Sequence, residues 1–499
     1  MGPREDERSR DRVRHGAGGA AVEGGASVVA ARALTRRSSR AARDPLVAYH
    51  ELLEDPSLAD ASASALAEGQ RERRLVFGDR PLCVSLRPNL ISDWQYAAVN
   101  EASQTIYSAL GRLERALLDD DDLRRQLDLD PREEALALRD PGFRAASPSA
   151  RLDGFIGEDG VIRFVEYNAE SPAGMAYNDE LAQVFASLPV MKKFRAKFPC
   201  QVVPTRGRQL TAMLRAHRSR SETAPAIAIV DWRGLPTLTE FEMFQRYFES
   251  RGITTVICAP EDLTYSRGAL RANGKTINLV YRRVLTSELL AKDDVSRPLV
   301  RAYLEGAVTV VNSFRAKLLH KKMSLALLSD DRYAALYTAP QRTAIAKHIP
   351  WTRKVREGHT TYAGKVVDLG DFVIARRTQL VLKPNDEYGG KGVVLGWTID
   401  QHEWEQSFLA ALASSYVVQE RVPVPRYPFP VVLDRMHFLD LSIDHDPYLF
   451  WGRVSGTLAR VSSSALLNVT AGAGSVVPTY VIAGGRRALR SPAAARSDA

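Results

Sequence analysis

The sequence predicts an α/β fold with α+β lobes, and three patterns support this prediction. An apolar run over Ala226–Val230, an amphipathic stretch over Thr237–Ser250 and a second apolar run over Ile253–Cys258 follow the order strand, helix, strand. The apolar stretches Leu152–Ile156 and Val161–Tyr167 flank a Gly-Glu-Asp-Gly turn, which predicts a β-hairpin. Strand and helix patterns alternate again after residue 380. We therefore expect a parallel βαβ unit beside antiparallel strands.

Composition and charge narrow the class of protein. The chain has 499 residues, 45% hydrophobic and 25% charged, which is typical of globular proteins and allows about two or three domains. Of the net charge of +9, residues 1–44 carry +4 and residues 485–499 carry +3. Both ends are rich in Ala, Gly, Arg and Ser and are predicted to be disordered, with anchoring to nucleic acid or an anionic membrane as the alternative. The nearly neutral body disfavours nucleic-acid binding.

Cysteine content and hydropathy exclude further classes. Cys83, Cys200 and Cys258 have neither paired nor metal-ligand spacing, so we expect no disulfide framework and no zinc site. A reducing, cytoplasmic location is expected. No apolar stretch approaches the roughly 18 residues that span a bilayer, and no signal peptide is recognisable.

The remaining elements follow from local patterns. From residue 45 to about residue 140 the pattern is helical, with apolar positions three and four residues apart, as at Ile106, Leu110 and Leu113. The acidic run Asp119–Asp122 is interpreted as a helix end or turn. The other predicted elements are a hairpin of Ala269–Ala272 and Lys275–Tyr281, a helix over Arg315–Leu328, strands over Leu380–Leu382, Val393–Gly396 and Tyr416–Gln419, a helix over Asp400–Ala413, and a loop at Pro423, Pro425, Pro428 and Pro430.

Polar side chains stand at the end of the second strand of the first hairpin. Glu166 and Asn168 are two residues apart on a strand, so their side chains lie on one face and present a carboxylate beside an amide oxygen. Such oxygens suit Mg²⁺, which is held by few protein ligands together with substrate phosphates. Two solvent-facing residues at a strand end are the alternative.

A glycine-rich segment over Leu382–Gly392 lies between two predicted strands. Glycines let main-chain N–H groups approach phosphate oxygens, Lys383 supplies a positive charge, and Glu387 is a hard oxygen ligand. An ordinary hairpin turn is the alternative. The sequence contains no P-loop motif and no GxGxxG fingerprint after a strand, so a phosphate site here requires a different fold.

Two weaker signals accompany these motifs. The strand over Val417–Val422 could hold adenine along its main chain and ribose hydroxyls on Glu420, although most such strands are simply core. Arginine suits bidentate contact with a carboxylate substrate, but each candidate could equally belong to a salt bridge. The strand-associated polar residues that could bind such a substrate are Arg151, Asp153, Arg282, Arg283 and Arg460.

Taken together and in this order, these segments resemble the ATP-grasp superfamily. The resemblance is to its circularly permuted branch, which includes eukaryotic-type glutathione synthetases and glutathionylspermidine-synthase-like proteins, and it covers about residues 45–481. The segments that carry it are Arg151–Phe155, Phe164–Gly174, Val280–Arg283, Val311–Ser313, Leu382–Gly392, Val418–Glu420 and Leu467–Gly474.

The resemblance implies a circularly permuted ATP-grasp fold with an inserted pre-ATP-grasp substrate domain. The implied divisions are a basic tail over 1–44, a helical segment with the first part of the core over 45–200, the α/β substrate domain over 201–312, the lid and nucleotide-binding lobes over 313–484, and a tail over 485–499.

The resemblance also implies the roles of single residues. The sequence departs from the family pattern at two positions: Lys391 follows the glycine pair, and Ser462 stands where glutathione synthetases keep a lysine. These departures imply that the acceptor substrate is not handled as in glutathione synthesis. The implied roles are Mg²⁺ ligands for Glu166, Asn168 and Glu387; phosphate binding for Lys317 and Lys383; a phosphate-covering lid for Gly389 and Gly390; adenine and ribose contacts for Gln419 and Glu420; and substrate binding for Arg151, Arg282 and Arg460.

The implied function is an ATP-dependent ligase that joins a carboxylate to an amine through an acylphosphate, with ATP and Mg²⁺ as cofactors. The expected substrates are small molecules, namely an amino acid, a peptide or a polyamine, with neither nucleic acid nor a membrane as partner. A phosphotransferase on the same fold and a non-catalytic nucleotide-binding module are the alternatives. The sequence leaves the substrates and the oligomeric state open.

Overall fold

The computed structural model describes residues 44–78, 80–464, 467 and 474–484. Apart from Asp44, the two predicted tails lie outside these residues, as does most of the segment 467–474. The helices are α1 Pro45–Leu52, α2 Pro56–Arg73, α3 Asp93–Asp119, α4 Asp121–Arg125, α5 Pro131–Leu138, α6 Met175–Ser187, α7 Pro189–Arg195, α8 Arg206–Arg218, α9 Leu238–Glu249, α10 Thr286–Ala291, α11 Asp293–Leu304, α12 Lys317–His320, α13 Met323–Leu328, α14 Ala339–His348, α15 Leu369–Ala375 and α16 Gln401–Leu412.

The strands complete the description of the elements. They are β1 Val76–Phe77, β2 Arg80–Pro81, β3 Asn89–Ser92, β4 Ser149–Ile156, β5 Ile162–Asn168, β6 Cys200–Gln201, β7 Ala226–Val230, β8 Thr254–Cys258, β9 Leu263–Ser266, β10 Ala269–Ala272, β11 Lys275–Ile277, β12 Leu279–Arg282, β13 Thr309–Val311, β14 Thr352–Lys354, β15 His359–Tyr362, β16 Lys365–Asp368, β17 Leu380–Pro384, β18 Val394–Leu395, β19 Tyr416–Glu420, β20 Arg426–Val432, β21 Met436–Ile443, β22 Asp446–Phe450, β23 Arg453–Ser462 and β24 Ser475–Ile482.

The largest sheet contains the predicted hairpin β4–β5. Its strands follow the order β20-β21-β23-β22-β4-β5, and β24 joins β23, β3 and β6. The pairing of β4 with β5 is antiparallel, as expected, but its register shifts: Asp153 lies opposite Glu166 and Gly154 lies opposite Phe164. Val165 is therefore the extra residue of a β-bulge, which redirects the side chains and main chain at this point of the strand.

A separate sheet is wholly parallel, in the order β13-β12-β7-β8. The predicted unit of strand, helix and strand is confirmed as β7, α9 and β8, and Phe241, Phe244 and Phe248 of α9 are buried. The prediction of one strand over Lys275–Tyr281 is wrong. The chain divides at Asn278, where the side-chain Oδ1 accepts from the Ala226 main chain, so β11 pairs with β10 while β12 enters the parallel sheet.

The third sheet, which we call the lid sheet, has the antiparallel order β14-β19-β17-β18. Leu382 and Val418 pack on one of its faces with Trp404 and Phe408 of α16. The predicted strands and helix of this region are confirmed, and their ends differ from the predicted ones by no more than two residues. The glycine-rich turn connects β17 to β18, at the edge of this sheet.

The predicted continuous helix over Arg315–Leu328 is wrong. The structure has a short turn over Phe314–Ala316 followed by α12 and α13, with a break at Lys321 and Lys322. At the break, the main-chain N–H of Lys322 donates to the Asn385 carbonyl over 2.9 Å, and the N–H of Met323 donates to Asn385 Oδ1 over 3.0 Å. Asn385, which directly follows β17 of the lid sheet, thus satisfies donors that a continuous helix would satisfy internally.

The proline cluster is only partly a loop, because Pro428 and Pro430 lie within β20. β20 is the edge strand of the sheet. Its outer side makes isolated hydrogen bonds with residues 84–86, such as that from the Leu86 N–H to the Pro430 carbonyl. Proline is tolerated in edge strands because it needs no ladder donor there.

The helical prediction for the first segment is confirmed by α1 to α5 but is wrong over residues 76–92, where the short strands β1, β2 and β3 lie. Asp119–Asp122 is confirmed as a helix end: Asp119 ends α3 and Asp120 caps α4. Among the described helices, none combines the length and apolar character that crossing a bilayer requires.

Candidate active site

Glu166, at the end of β5, meets the lid turn through a lysine that the sequence did not single out. Lys322 Nζ lies 3.0 Å from Glu166 Oε1 and donates to the Glu387 carbonyl over 2.5 Å. The carboxylate of Glu387 lies elsewhere, 3.1 Å from Lys391 Nζ. The structure therefore brings the Glu166 side chain and the Glu387 main chain to one ammonium group, while the Glu387 side chain faces solvent.

The acidity of Glu166 depends on these lysines. Burial raises the pKa of its carboxyl, but the charges of Lys322 and Lys383 outweigh burial and lower the pKa to about 2. Glu166 is thus a carboxylate at physiological pH, the form that binds cations.

Asn168 lies on the same strand but has a different partner. Its Nδ2 donates over 2.9 Å to Oδ1 of Asp153, which lies in the neighbouring strand β4. The amide nitrogen is therefore directed to Asp153, which leaves the amide oxygen as the group available for other contacts.

Lys383 lies in β17 of the lid sheet and reaches across to the main sheet. Its Nζ donates to Gln419 Oε1 over 2.7 Å and to the carbonyl of the bulged Val165 over 3.1 Å. Within the described residues, Lys383 has no carboxylate at ion-pair distance. Burial lowers the pKa of this lysine to about 8, with Lys322 lowering it further and Glu166 opposing the shift.

Lys317, the other predicted phosphate lysine, is enclosed by acids. Its Nζ lies 2.6 Å from Asp386 Oδ1, 3.2 Å from Glu133 Oε1 and 3.4 Å from Glu170 Oε2, and its side chain is fully buried. Burial opposes the charged form, yet these carboxylates raise the pKa of Lys317 above its ordinary value. Its charge is thus balanced within the protein.

Arg282 and Arg151, predicted to bind substrate, are also paired within the chain. Arg282 Nη1 donates to Glu170 Oε1 over 2.9 Å, and Arg151 contacts both oxygens of Asp153 over 2.7 and 2.8 Å. Both guanidinium groups are buried.

Arg460, the third predicted substrate arginine, lies next to Arg151. It contacts Asp153 over 2.7 Å, Asp444 over 2.7 Å and Asp446 over 3.0 Å. In this structure all three arginines balance carboxylates of the chain itself.

The predicted lid glycines occupy an exposed turn. Gly389 and Gly390 have φ angles of 65° and 79°, a region that favours glycine. In the same turn, the Tyr388 hydroxyl donates to Glu288 Oε1 of α10 over 3.2 Å. The turn thus contacts the helix that lies between β12 and β13 in the chain, whereas Asp386 at its start is tied to Lys317.

Gln419 and Glu420 face different surroundings at the end of β19. Gln419 is buried, with its Nε2 donating to Thr352 Oγ1 over 3.0 Å and its Oε1 accepting from Lys383. Glu420 accepts from the Tyr362 hydroxyl over 2.9 Å and lines a cavity of about 930 Å³. This volume is within the usual range for small-molecule sites. Other residues of its lining include Arg163, Tyr337, Arg342, Trp351 and Arg421.

The arrangement around Lys322 fits a hard divalent cation bound together with phosphates. The Glu166 carboxylate and the Glu387 carbonyl already converge on a cationic group. Among the described residues, no cluster of three His, Cys, Asp or Glu could hold a metal ion. A metal here would therefore need main-chain, amide and substrate oxygens as well, which is the manner in which Mg²⁺ is usually bound.

Sequence reasoning missed Lys322 and Thr352. Lys322 was signalled only by the pair Lys321-Lys322 directly before the apolar stretch Met323–Leu328. A single buried helix would not accommodate such a pair. Thr352 carries no recognisable local signal, because its role depends on the pairing of β14 with β19.

Comparison with known proteins identifies one curated relative and a shared fold. No protein-family model matches the chain. The chain is 26% identical over 363 residues to a protein from Frankia casuarinae named putative glutamate–cysteine ligase 2-2, a match that covers 67% of this chain. It covers only 39% of that relative, so the chain spans less than half of the relative's length.

Among solved structures, the chain resembles a glutathione synthetase-like effector from Globodera pallida, in its apo form. The TM-score is 0.53 at 14% identity, with 88% of this chain and 98% of the other covered. A D-cycloserine synthetase overlaps with 40% of this chain at a TM-score of 0.25 and 20% identity. Over most of its length, the chain therefore has the mixed α/β fold of the glutathione synthetase-like effector.

Proposed function

We propose that this protein is an ATP-dependent ligase of the ATP-grasp type, which forms an amide bond between a carboxylate and an amine through an acylphosphate. The observation that carries the proposal is the convergence of Lys322, Lys383 and Glu166 beneath a glycine-rich turn. Two lysines and a carboxylate at one place provide cations for phosphate oxygens and a ligand for Mg²⁺. The name of the Frankia relative and the shared fold support the proposal.

Each residue has a distinct part in this proposal. Lys322 and Lys383 hold the phosphates, so Lys322 takes the role that the family resemblance assigned to Lys317. Glu166, Asn168 and the Glu387 main chain would hold Mg²⁺, which neutralises charge on the phosphates during transfer. Gly389 and Gly390 cover the phosphates.

The nucleoside end of ATP is assigned to the cavity that Glu420 lines. There the Glu420 carboxylate accepts hydrogen bonds from the ribose hydroxyls, beside the buried Gln419. The end of β19 connects the cavity to Lys383, because Gln419 contacts Lys383 and the next residue, Glu420, lines the cavity.

The proposed reaction has two steps. A substrate carboxylate oxygen attacks the γ-phosphorus of ATP, and ADP leaves. The amine nitrogen then attacks the acyl carbon, inorganic phosphate leaves, and the nitrogen gives up a proton. Both steps concentrate negative charge on oxygens, so positioned cations such as Lys383 lower the barrier without a protein nucleophile. Closure of the lid turn excludes water that would hydrolyse the acylphosphate.

The substrates are proposed by class: an amino acid or peptide carboxylate, and an amino acid, peptide or polyamine amine. Because Arg151, Arg282 and Arg460 balance acids of the chain, the proposal does not depend on them for substrate contact. We propose residues 201–312, which contain the parallel sheet, as the inserted substrate domain of a circularly permuted arrangement, between 45–200 and 313–484.

ADP release with Mg-ATP tests the function directly. Purified protein is incubated with pairs drawn from amino acids including glutamate and cysteine, small peptides and polyamines, and responding mixtures are resolved by mass spectrometry. We expect ADP, phosphate and an amide product, and no turnover by Glu166→Gln. Lys391→Met, which alters an exposed lysine of the same turn, is the matched control and should retain turnover.

The same experiment separates the alternatives. A phosphorylated product formed without any amine would identify a phosphotransferase. Nucleotide binding without turnover over the whole panel would identify a binding module, and either result would overturn the ligase proposal.

A further inference from the structure

Asp153 is the centre of a buried hydrogen-bond network next to the site. Its two carboxylate oxygens accept from Arg151 Nε and Nη2, from Arg460 Nη2 and from Asn168 Nδ2, over distances of 2.7 to 2.9 Å. The side chain of Asp153 is only 5% exposed. Such a set of N–H donors matches the roughly four acceptor positions of an ionised carboxylate and exceeds what an amide oxygen can accept.

The charges of the network are arranged around this carboxylate. Arg151 and Arg460 face three acids, Asp153, Asp444 and Asp446. Both guanidinium groups contact Asp153 directly, each over 2.7 Å, so two cations compensate the charge of a carboxylate that is almost fully buried.

The contact with Asn168 gives this network a consequence for the site. An asparagine amide can turn over and exchange its oxygen for its nitrogen, and only its hydrogen bonds decide between the two arrangements. A carboxylate accepts hydrogen bonds but donates none, so Asp153 binds the Nδ2 end of Asn168 and excludes the Oδ1 end.

We propose that Asp153 is a positioning residue that fixes the amide of Asn168 so that its oxygen faces the metal, with Arg151 and Arg460 holding Asp153 in place. This inference rests on the proposed function, because it assumes that Asn168 is a Mg²⁺ ligand. It gives two of the predicted substrate arginines, Arg151 and Arg460, a role two contacts behind the metal ligand Asn168. Partners of metal ligands commonly contribute tenfold to a hundredfold to metal affinity.

The test compares Asp153→Asn with Asp444→Asn. Both variants replace a carboxylate of the same arginine network by an amide, but among the described contacts only Asp153 reaches Asn168. Binding of Mn²⁺, as a spectroscopic substitute for Mg²⁺, is followed by electron paramagnetic resonance with the non-hydrolysable analogue AMP-PNP present. Affinity for AMP-PNP alone is measured in EDTA.

We expect Asp153→Asn to weaken Mn²⁺ binding roughly tenfold or more, and Asp444→Asn to leave it within about twofold. Metal-free affinity for AMP-PNP should be equal in all three proteins. In an Asn168→Ala background, Asp153→Asn should cause no further loss. If Asp153→Asn does not fold, Asp153→Glu, which keeps the charge but displaces the acceptor, replaces it.

Three results would overturn the inference: unchanged Mn²⁺ binding in Asp153→Asn, equal losses in the two variants, or a further loss in the Asn168→Ala background. If the unaltered protein bound no Mn²⁺ with AMP-PNP, the proposed function itself would fail, which distinguishes the two failures.

Discussion

Lys317 and Lys383 have the same side chain and opposite surroundings. Lys317 is enclosed by Glu133, Glu170 and Asp386. Lys383 contacts only neutral oxygens, those of Gln419 and Val165, among its described hydrogen bonds. The pKa of the first is raised by its acids, and that of the second is lowered to about 8 by burial.

The difference separates a cation that holds the protein together from one that can bind an anion. A buried ammonium matched by carboxylates gains little from a phosphate, because its charge is already compensated. A buried ammonium without such a partner is destabilised, and a phosphate would relieve that cost. Arg282, which is paired with the fully buried Glu170, belongs with Lys317 in this comparison. Lys322 is intermediate, because it is buried but faces one carboxylate, that of the partly exposed Glu166.

The largest effect is expected from Lys317→Met. Among the described contacts, removal of the ammonium leaves the three acids with two positively charged partners, Lys321 and Arg282, and with the His320 ring beside Glu170. The free energy of unfolding should therefore fall by about 3 to 5 kcal/mol. Urea unfolding followed by circular dichroism measures the change, and Lys391→Met should cause little change because the Lys391 side chain is 77% exposed. If Lys317→Met were as stable as the unaltered protein, the assignment of Lys317 as a cation that stabilises the fold would be wrong.

Lys383→Ala is expected to spare the fold and abolish chemistry. Loss of one preorganised charge should cost about 3 kcal/mol of transition-state stabilisation, seen as a fall in kcat/KM for ATP of roughly a hundredfold or more. The urea midpoint should stay within error or rise, because an unpaired buried charge is removed. Retained turnover with lost stability would reverse the assignments of the two lysines.

Binding of ATP should weaken as pH rises from 7 to 9. The pKa of Lys383 is about 8 in the folded protein, lowered by burial from its ordinary 10.5, so its charge is present at pH 7 and mostly lost at pH 9. Because the charged form attracts phosphate, affinity for AMP-PNP should fall by up to about tenfold per pH unit above 8. Calorimetric titration measures this fall, and Lys383→Arg should flatten it, since arginine stays charged. An equal slope in that variant would assign the titration to another group.

The smallest effect is expected at the outer end of the lid turn. Tyr388→Phe removes the single hydrogen bond to Glu288, worth about 1 kcal/mol, and should speed hydrogen exchange of residues 388–392 severalfold. Residues 385 and 386, tied to Lys317 and Lys322, should be unaffected. Addition of Mg-ATP should slow exchange over 386–392, and equal exchange with and without it would contradict closure of the lid.

Local patterns predicted most elements well. The strand Ala226–Val230 has the predicted bounds, because a strand buried on both faces needs an uninterrupted apolar run. The hairpin β4–β5 was also predicted, because its turn residues and flanking strands are adjacent in the chain. The bulge at Val165, which provides the carbonyl that Lys383 contacts, has no such local signal.

The errors arise where distant residues complete an element. The helix over 315–328 breaks because Asn385 satisfies its donors, and the strand over 275–281 divides because Asn278 anchors to β7. In both places the local sequence is compatible with a continuous element, and a contact more than fifty residues away decides the outcome.

The sequence by itself determined which residue types exist at the strand ends: Glu166, Asn168, Lys383 and the glycine turn. Only the tertiary structure decided which cations are already compensated, because the deciding partners are remote: Arg460 and Asp153 are 307 residues apart, and Lys317 and Asp386 are 69 apart. The physical reason is that the free energy of a buried charge depends on the neighbours within a few ångström in space, and these are set by how the sheets pack.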